Sequence, residues 1–151
     1  MYNLFDLHVA LRLYHSNLLN LHWNSHGMDF NDSHKSITTE YYELCDKYID
    51  ITAEMLARLN VYAPNYIEVV QYISKSSENF HVVDSKKLYT REEIVSLIDT
   101  MLESILSFIA KSLNDEEIKD NITNVGIKSD LEAMYSEFDL QYRYINKRRM
   151  V

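Results

Sequence analysis

Apolar residues recur along this chain at helical spacing. Leu4, Leu7, Leu11, Tyr14, Leu18 and Leu21 alternate steps of three and four, which builds one apolar stripe on a first helix. Gly27 is the expected stop. After Phe30, Asn31, Asp32 and Ser33 are all competent N-caps for a second helix. That helix carries Ile37, Tyr41, Leu44, Tyr48, Ile51, Met55 and Leu59 on one face, with Pro64 expected to end it. Ile67, Val70 and Ile73 predict a short amphipathic piece, and residues 74–89 read as polar and irregular at their centre. Thr90 and Glu93 form a capping-box pattern ahead of a third helix bearing Ile94, Ile98, Met101, Ile105, Phe108 and Ile109. Asn114 to Asn124 is a charged connection, and Leu131, Met134, Phe138 and Ile145 mark a last helix.

Two long helices, a connection holding a short helix and two more long helices predict an all-α fold. It is a ferritin-like four-helix bundle with one long crossover, in a single domain over residues 1–151. Composition agrees, since Gly occurs only twice and Pro once, too few for sheets and long irregular loops. Neither periodicity nor composition names a function.

Charge narrows the field. The formal net charge is −8, the opposite of a general nucleic-acid-binding surface. An acidic surface suits metal cations or basic partners, or serves solubility alone. The single cysteine, Cys45, forms no intrachain disulfide framework and no zinc-ribbon spacing, which fits a reducing compartment. No apolar run approaches the ~20 residues of a membrane span, and the first residues are too polar and periodic for a signal peptide. The expected location is the cytoplasm.

The chemistry-bearing residues concentrate in His22-Trp23-Asn24-Ser25-His26-Gly27-Met28-Asp29-Phe30, then His34, with Asp50 and Glu54 farther along the second helix. Imidazole and carboxylate donors together suit iron in both oxidation states. Asp50 and Glu54 lie four apart, so both project from one helical face; such a pair is more often a solvated face than a metal site. His8, His15 and His22 recur every seven residues, and His26 lies one turn beyond His22. This stripe is either a metal path or the polar edge of a helix packed at an interface. His81 reads as a surface residue, and Trp23, the sole tryptophan, as a core or interface anchor.

The run His22-Trp23-Asn24-x-x-Gly27-x-x-Phe30-x-x-x-His34, followed by Asp50-x-x-Ala53-Glu54, strongly resembles the Dps (miniferritin) family. Tyr62-Ala63-Pro64-Asn65-Tyr66 resembles the start of that family's connecting helix, and Asp120-Asn121-Ile122-Thr123-Asn124 the entry to its fourth helix. The resemblance implies a homo-oligomeric shell of twelve subunits with an iron site at a two-fold interface. His22 and His34 would be metal ligands from one subunit, Asp50 and Glu54 those from its partner, and Trp23 the aromatic electron donor beside the site. It also implies Fe(II) oxidation, preferably by hydrogen peroxide, with ferric mineral stored inside. Asp115, Glu116, Glu117 and Asp120 fall where the family lines its three-fold pores with acid, whereas Val125 replaces an often acidic position.

Two departures from the family pattern bear on activity. The turn after His34, Ile37-Thr38-Thr39, lacks the family's usual carboxylate, so ferroxidase activity is expected to be weakened. The segment from His34 to Asp50 is also one residue longer than in the family. An extra residue turns everything beyond it by about 100° unless a bulge absorbs it, so a π-bulge or kink is predicted between them. Glu40 or Glu43 would then be the replacement ligand; failing that, the site would load one iron or prefer another metal such as zinc. Glu43, Asp46, Asp50 and Glu54 also form an acidic stripe, either cation-attracting or an ordinary polar face.

Three alternatives stand beside this reading. DNA protection is opposed by charge, since twelve copies would carry on the order of −100 and the only basic cluster is Lys147-Arg148-Arg149. A structural shell, or a binder of another metal, would follow from the missing acid. A di-iron site inside one bundle needs Glu-x-x-His on two inward-facing helices, and the only instance is Glu78 to His81 in the crossover.

Overall fold

The computed structural model describes residues 2–150, apart from the side chains of Tyr2, Ser36 and Thr38. The chain is a four-helix bundle of ferritin-like architecture. Helix α1 (Tyr2–Trp23) runs first. The second bundle helix is continuous from α2 (Phe30–Ser36) through a π-helical segment (Ile37–Tyr42) into α3 (Glu43–Arg58). The crossover carries α4 (Tyr66–Lys75) and a 3₁₀ turn, and α5 (Arg91–Leu113) is the third bundle helix. After α6 (Glu116–Lys119), the fourth runs through α7 (Val125–Asp139), a second π-helical segment (Leu140–Asn146) and α8 (Lys147–Arg149). Among the described residues there is no strand, only one isolated bridge between Ser25 and Tyr89.

Helix α1 packs on α3 and α5, and α5 packs on α7. The α1 stripe from Leu4 to Leu21 is buried as its spacing predicts, as is the α5 stripe from Ile94 to Ile109. On the second helix Cys45 and Thr52 are buried, while Leu44 and Ile51, expected in the core, are only partly covered. The cause is the π segment: an extra residue per turn rotates α3 relative to the sequence upstream. Steps of four through Ser33, Ile37, Tyr41 and Cys45 keep one buried row across it. The π-bulge expected from the excess residue is therefore present, at Ile37–Tyr42.

The ends of these helices correct several expectations. The second helix starts at Phe30, with Asp29 at the N-cap, so Asn31, Asp32 and Ser33 lie inside it. It stops before Pro64: Asn60 takes a left-handed conformation (φ 58), Val61 N–H donates to Leu56 O at 2.9 Å and Asn60 N–H to Ala57 O at 3.0 Å. Those two bonds form a Schellman motif, with Asn in the position usually held by Gly. Asn65 and Glu68 then form a reciprocal capping box for α4, matched by Thr90 and Glu93 at α5. On α4 it is Val69 that is buried, while Ile67 and Val70 face outward.

The second π segment was not expected. Its buried residues, Gln141 and Asn146, lie five apart, the period of a wide turn, and Ile145 is only partly covered. The two wide turns are joined. Tyr41 Oη donates to Asn146 Oδ1 at 2.9 Å, Asn146 Nδ2 donates to Val95 O at 3.0 Å, and Gln141 Nε2 donates to Glu40 O. Side-chain amides thus meet backbone carbonyls that wide turns and a helix packing face leave open, as burial demands.

Candidate metal centre

His22 lies at the last turn of α1 and His34 in α2, and the short connection between them folds their rings together. The imidazoles stack with centroids 3.8 Å apart and planes 18° from parallel. Phe30 stacks on the other side of His34 at 4.9 Å. His22 Nδ1 lies 2.8 Å from His34 O, and His34 Nδ1 lies 3.2 Å from His22 O. A carbonyl oxygen only accepts, so each Nδ1 carries a proton. In the neutral rings, Nε2 of both histidines therefore holds the lone pair. Fixing a ligand's tautomer through its second nitrogen is how proteins orient metal-binding imidazoles.

The connection is itself held. Gly27 has φ 107, a conformation that L side chains rarely adopt. Tyr89 N–H donates to Asn24 O at 2.8 Å and His26 N–H to Tyr89 O at 2.9 Å, so the end of the crossover grips the loop from both sides. Ser25 Oγ donates to His22 O at 3.1 Å. The side chain of Tyr89 is buried. No sequence signal had marked that residue. His26 is exposed and takes part through its backbone, outside the ring stack. Trp23, beside His22, is 66% exposed.

Asp50 and Glu54 are exposed on α3, sixteen and twenty residues beyond His34 on one continuous helix. At 1.5 Å per residue, Asp50 stands about 24 Å from His34 along the axis. One chain therefore cannot bring the histidines and carboxylates onto one ion. Among the described residues no three His, Cys, Asp or Glu side chains converge as a metal set. Neither Glu40 nor Glu43, the expected replacements for the acid missing at Ile37-Thr38-Thr39, joins the histidine pair within the chain. Tyr41 and Glu40 O are tied to the fourth helix, which holds the wide turn in place while both glutamates face solvent. The Thr38 side chain lies outside the described residues.

Asp50 lines a concave face of about 720 Å³ together with His8, Arg12, Asp46 and Ala63. His8, 1% exposed, has Nδ1 at 2.8 Å from Thr52 Oγ1. The Thr52 hydroxyl proton is committed to backbone carbonyls, with Tyr48 O at 2.8 Å, so it accepts from His8 Nδ1–H. Burial, then the Arg12 guanidinium, pushes the His8 pKa down to about 4. His8 is thus a neutral core histidine. His15 stacks at 4.3 Å on Tyr42, and its Nε2 lies 3.6 Å from Asp46 Oδ1. Burial lowers its pKa, with Asp46 opposing and Arg12 assisting. Cys45 is fully buried with its thiol against Leu11 O at 3.2 Å, and burial pushes its pKa well up, so it is no reactive thiolate.

The expected acidic residues of the connection flank and include α6. Asp115 precedes α6, which includes Glu116 and Glu117, Asp120 follows it, and Val125 opens α7 with its side chain exposed. The basic cluster is engaged along the fourth helix: Lys147 pairs with Asp99 at 2.8 Å, and Arg148 lies over the Tyr144 ring at 4.2 Å. No helix among the described residues is long and apolar enough to cross a membrane.

No family profile and no curated protein matches the chain. Solved structures do. CAIP from Helicobacter cinaedi superposes with a TM-score of 0.79 at 18% identity, over 99% of this chain and 98% of that one. Dps92 from Deinococcus radiodurans gives 0.74 at 17% identity, over 94% and 82%. Antigen TpF1 from Treponema pallidum gives 0.65 at 20% identity, over 93% and 89%. At these identities the likeness is one of fold: the chain shares the ferritin-like bundle of these structures over almost its entire length.

Proposed function

We propose that this chain is a miniferritin of the Dps type, which oxidises Fe(II) at a site shared between two copies and keeps the ferric product inside a homo-oligomeric shell. The carrying observation is the split donor set. His22 and His34 stack with their Nε2 atoms unused by each other, and Asp50 and Glu54 stand exposed about 24 and about 30 Å from His34 along the same helix. A second copy related by a two-fold axis would bring its carboxylates to this chain's histidines, and the reverse, at two equivalent sites. The resulting nitrogen and oxygen donors accept iron as substrate in either oxidation state.

With hydrogen peroxide as oxidant, two Fe(II) ions give up one electron each, the O–O bond breaks, and two water molecules join. Two FeO(OH) and four protons result. Both oxidising equivalents are used by iron, so no hydroxyl radical need escape. Trp23, exposed beside His22, would supply an electron when only one iron is present. The resemblance implies twelve copies.

The test is stopped-flow oxidation of Fe(II) by the purified protein with hydrogen peroxide or oxygen, set against a His34→Ala, Glu54→Ala double variant. Fast peroxide-dependent oxidation that the double variant loses is the expected result. A wild-type trace no faster than buffer overturns the oxidase reading. A second reading would then take its place: a shell, or a binder of zinc or another metal, with weakened iron chemistry. One feature favours that reading, the turn Ile37-Thr38-Thr39, which offers no carboxylate and which Glu40 and Glu43 do not replace within the chain. DNA protection draws no support from the basic residues at 147–149, where Lys147 is spent on Asp99 and Arg148 on Tyr144.

A further inference from the structure

The histidines of α1 form three rungs against the second bundle helix. His8 meets Thr52, His15 meets Asp46, and His22 meets His34. Seven residues separate successive rungs, a rise of about 10.5 Å and a net rotation of only about 20°, so all three face one side. The outer rungs are closed by hydrogen bonds. The middle one is not: His15 Nε2 is shielded from solvent and has no hydrogen-bond partner, and Asp46 Oδ1 at 3.6 Å is too far to supply one. Two ligands of a tetrahedral zinc, each about 2.05 Å from the ion, stand about 3.4 Å apart. The His15–Asp46 separation is close to that edge length.

The middle rung also has a special place in the assembly proposed above, on which this inference rests. Asp50 and Glu54 bracket Thr52 and so lie level with the first rung. If the first rung of one copy meets the third rung of another, the two-fold axis must cross midway, at the second. The axis would then gather two His15 imidazoles and two Asp46 carboxylates. Asp46 has two-thirds of its side chain exposed and lines the same concave face as Asp50.

We propose that this dyad holds a second kind of metal site, for a divalent cation of the zinc class, distinct from the two flanking iron sites and built from His15 and Asp46 of both copies. Two neutral imidazoles and two carboxylates give a four-coordinate N₂O₂ set whose charge balances the dication. Arg12, the nearest cationic side chain on α1, has its guanidinium tied to Pro64 O at 2.8 Å. The other cation on the shared face, Lys47, is paired with Glu137 at 3.2 Å, which leaves Asp46 and Asp50 as its acidic groups. A resident ion there would tie two copies together between their iron sites without taking part in oxidation.

The experiment is equilibrium binding of Co²⁺, followed by Zn²⁺ displacement, to the purified iron-free assembly with its size monitored by light scattering. The His34→Ala, Glu54→Ala variant is the background in which the iron sites are disabled. The expected result is about one cation per two chains with the visible absorption of tetrahedral Co²⁺. His15→Gln or Asp46→Asn added to that background should abolish it while assembly persists. Equal Co²⁺ binding with and without His15→Gln overturns the proposal, and wild-type ferroxidase activity would then leave the shared iron site standing. A protein that is monomeric at every concentration overturns both. Should either added substitution prevent assembly, X-ray absorption of the zinc-loaded background variant decides: two imidazole ligands per zinc support the site, and an all-oxygen shell overturns it.

Discussion

Acid should unfold this protein partly through one buried histidine. His8 is 1% exposed, donates to Thr52 Oγ1 through Nδ1, and has Nε2 3.4 Å from the Arg12 guanidinium. Protonating that ring would bury a charge and set it against another, which is why its pKa falls to about 4. In the unfolded chain the same imidazole titrates near its ordinary value of about 6.5. Between those limits the unfolded state binds a proton that the folded state refuses, so stability falls as pH falls. Above about 6.5 both states are neutral and nothing is lost; below about 4 both are protonated and the loss is complete. The difference, worked from one proton and these two pKa values, is about 1 kcal/mol at pH 5.5 and about 3 kcal/mol at the acid limit. Urea unfolding of wild type and His8→Asn at matched protein concentration, from pH 7.5 to 4.5, measures it. The Asn amide nitrogen sits near the place of Nδ1 and can keep the Thr52 bond without titrating. Both proteins share every other ionisable group, so the wild-type curve should fall more steeply by the stated amounts. Parallel pH profiles would refute the account of His8 as a buried neutral ring.

Two further substitutions test the parts that place the half-site. Tyr41→Phe strips the donor from Asn146 Oδ1 between the two wide turns and should cost about 1–3 kcal/mol by urea unfolding, because a buried acceptor is left unpaired; a change within error would mean that the link between the π segments does not hold them. Gly27→Ala meets no atom within 4 Å, so its cost should come from φ 107 alone, about 1–2 kcal/mol, with a shift in the His22 and His34 imidazole resonances by NMR; unchanged spectra and stability would show that the turn does not set the ring stack.

Much of this was legible in the chain because helical burial is periodic. The α1 and α5 stripes needed only their spacing, and Thr90 with Glu93 announced the start of α5 by chemistry specific to a helix entrance. The π segment at Ile37–Tyr42 was legible for a different reason: a one-residue surplus between His34 and Asp50 had to go somewhere if both were to keep their faces. What stayed hidden depended on partners far away in sequence. Pro64 is a conspicuous helix breaker, yet Asn60 ends the helix four residues earlier, because its φ of 58 closes a local motif before the proline can matter. Gln141 and Asn146 look like ordinary polar residues late in a helix, and only the open carbonyl of Glu40 and the Tyr41 hydroxyl across the bundle explain their burial.

The same reasoning explains why the candidate site could be named residue by residue and still not be assembled from one chain. His22 and His34, twelve apart in sequence, are brought together by the six-residue connection between α1 and α2, a short-range event that Gly27 and the grip of Tyr89 help to fix. Asp50 and Glu54 sit on the same rigid helix as His34, and rigidity keeps them apart: no loop motion closes about 24 Å along a helix axis. A bundle that wanted an internal site would place its carboxylates inward, as di-iron bundles do; here the core positions at that level hold Thr52, Met55 and Leu56, and the acids face out. Beyond the wide turn, Asp46, Asp50 and Glu54 are all exposed, and Asp46 and Asp50 share a concave face with His8. In the proposed two-copy site, the wide turn and its tie to Gln141 and Asn146 would hold in place the helix on which each chain presents half of the donors to a second copy.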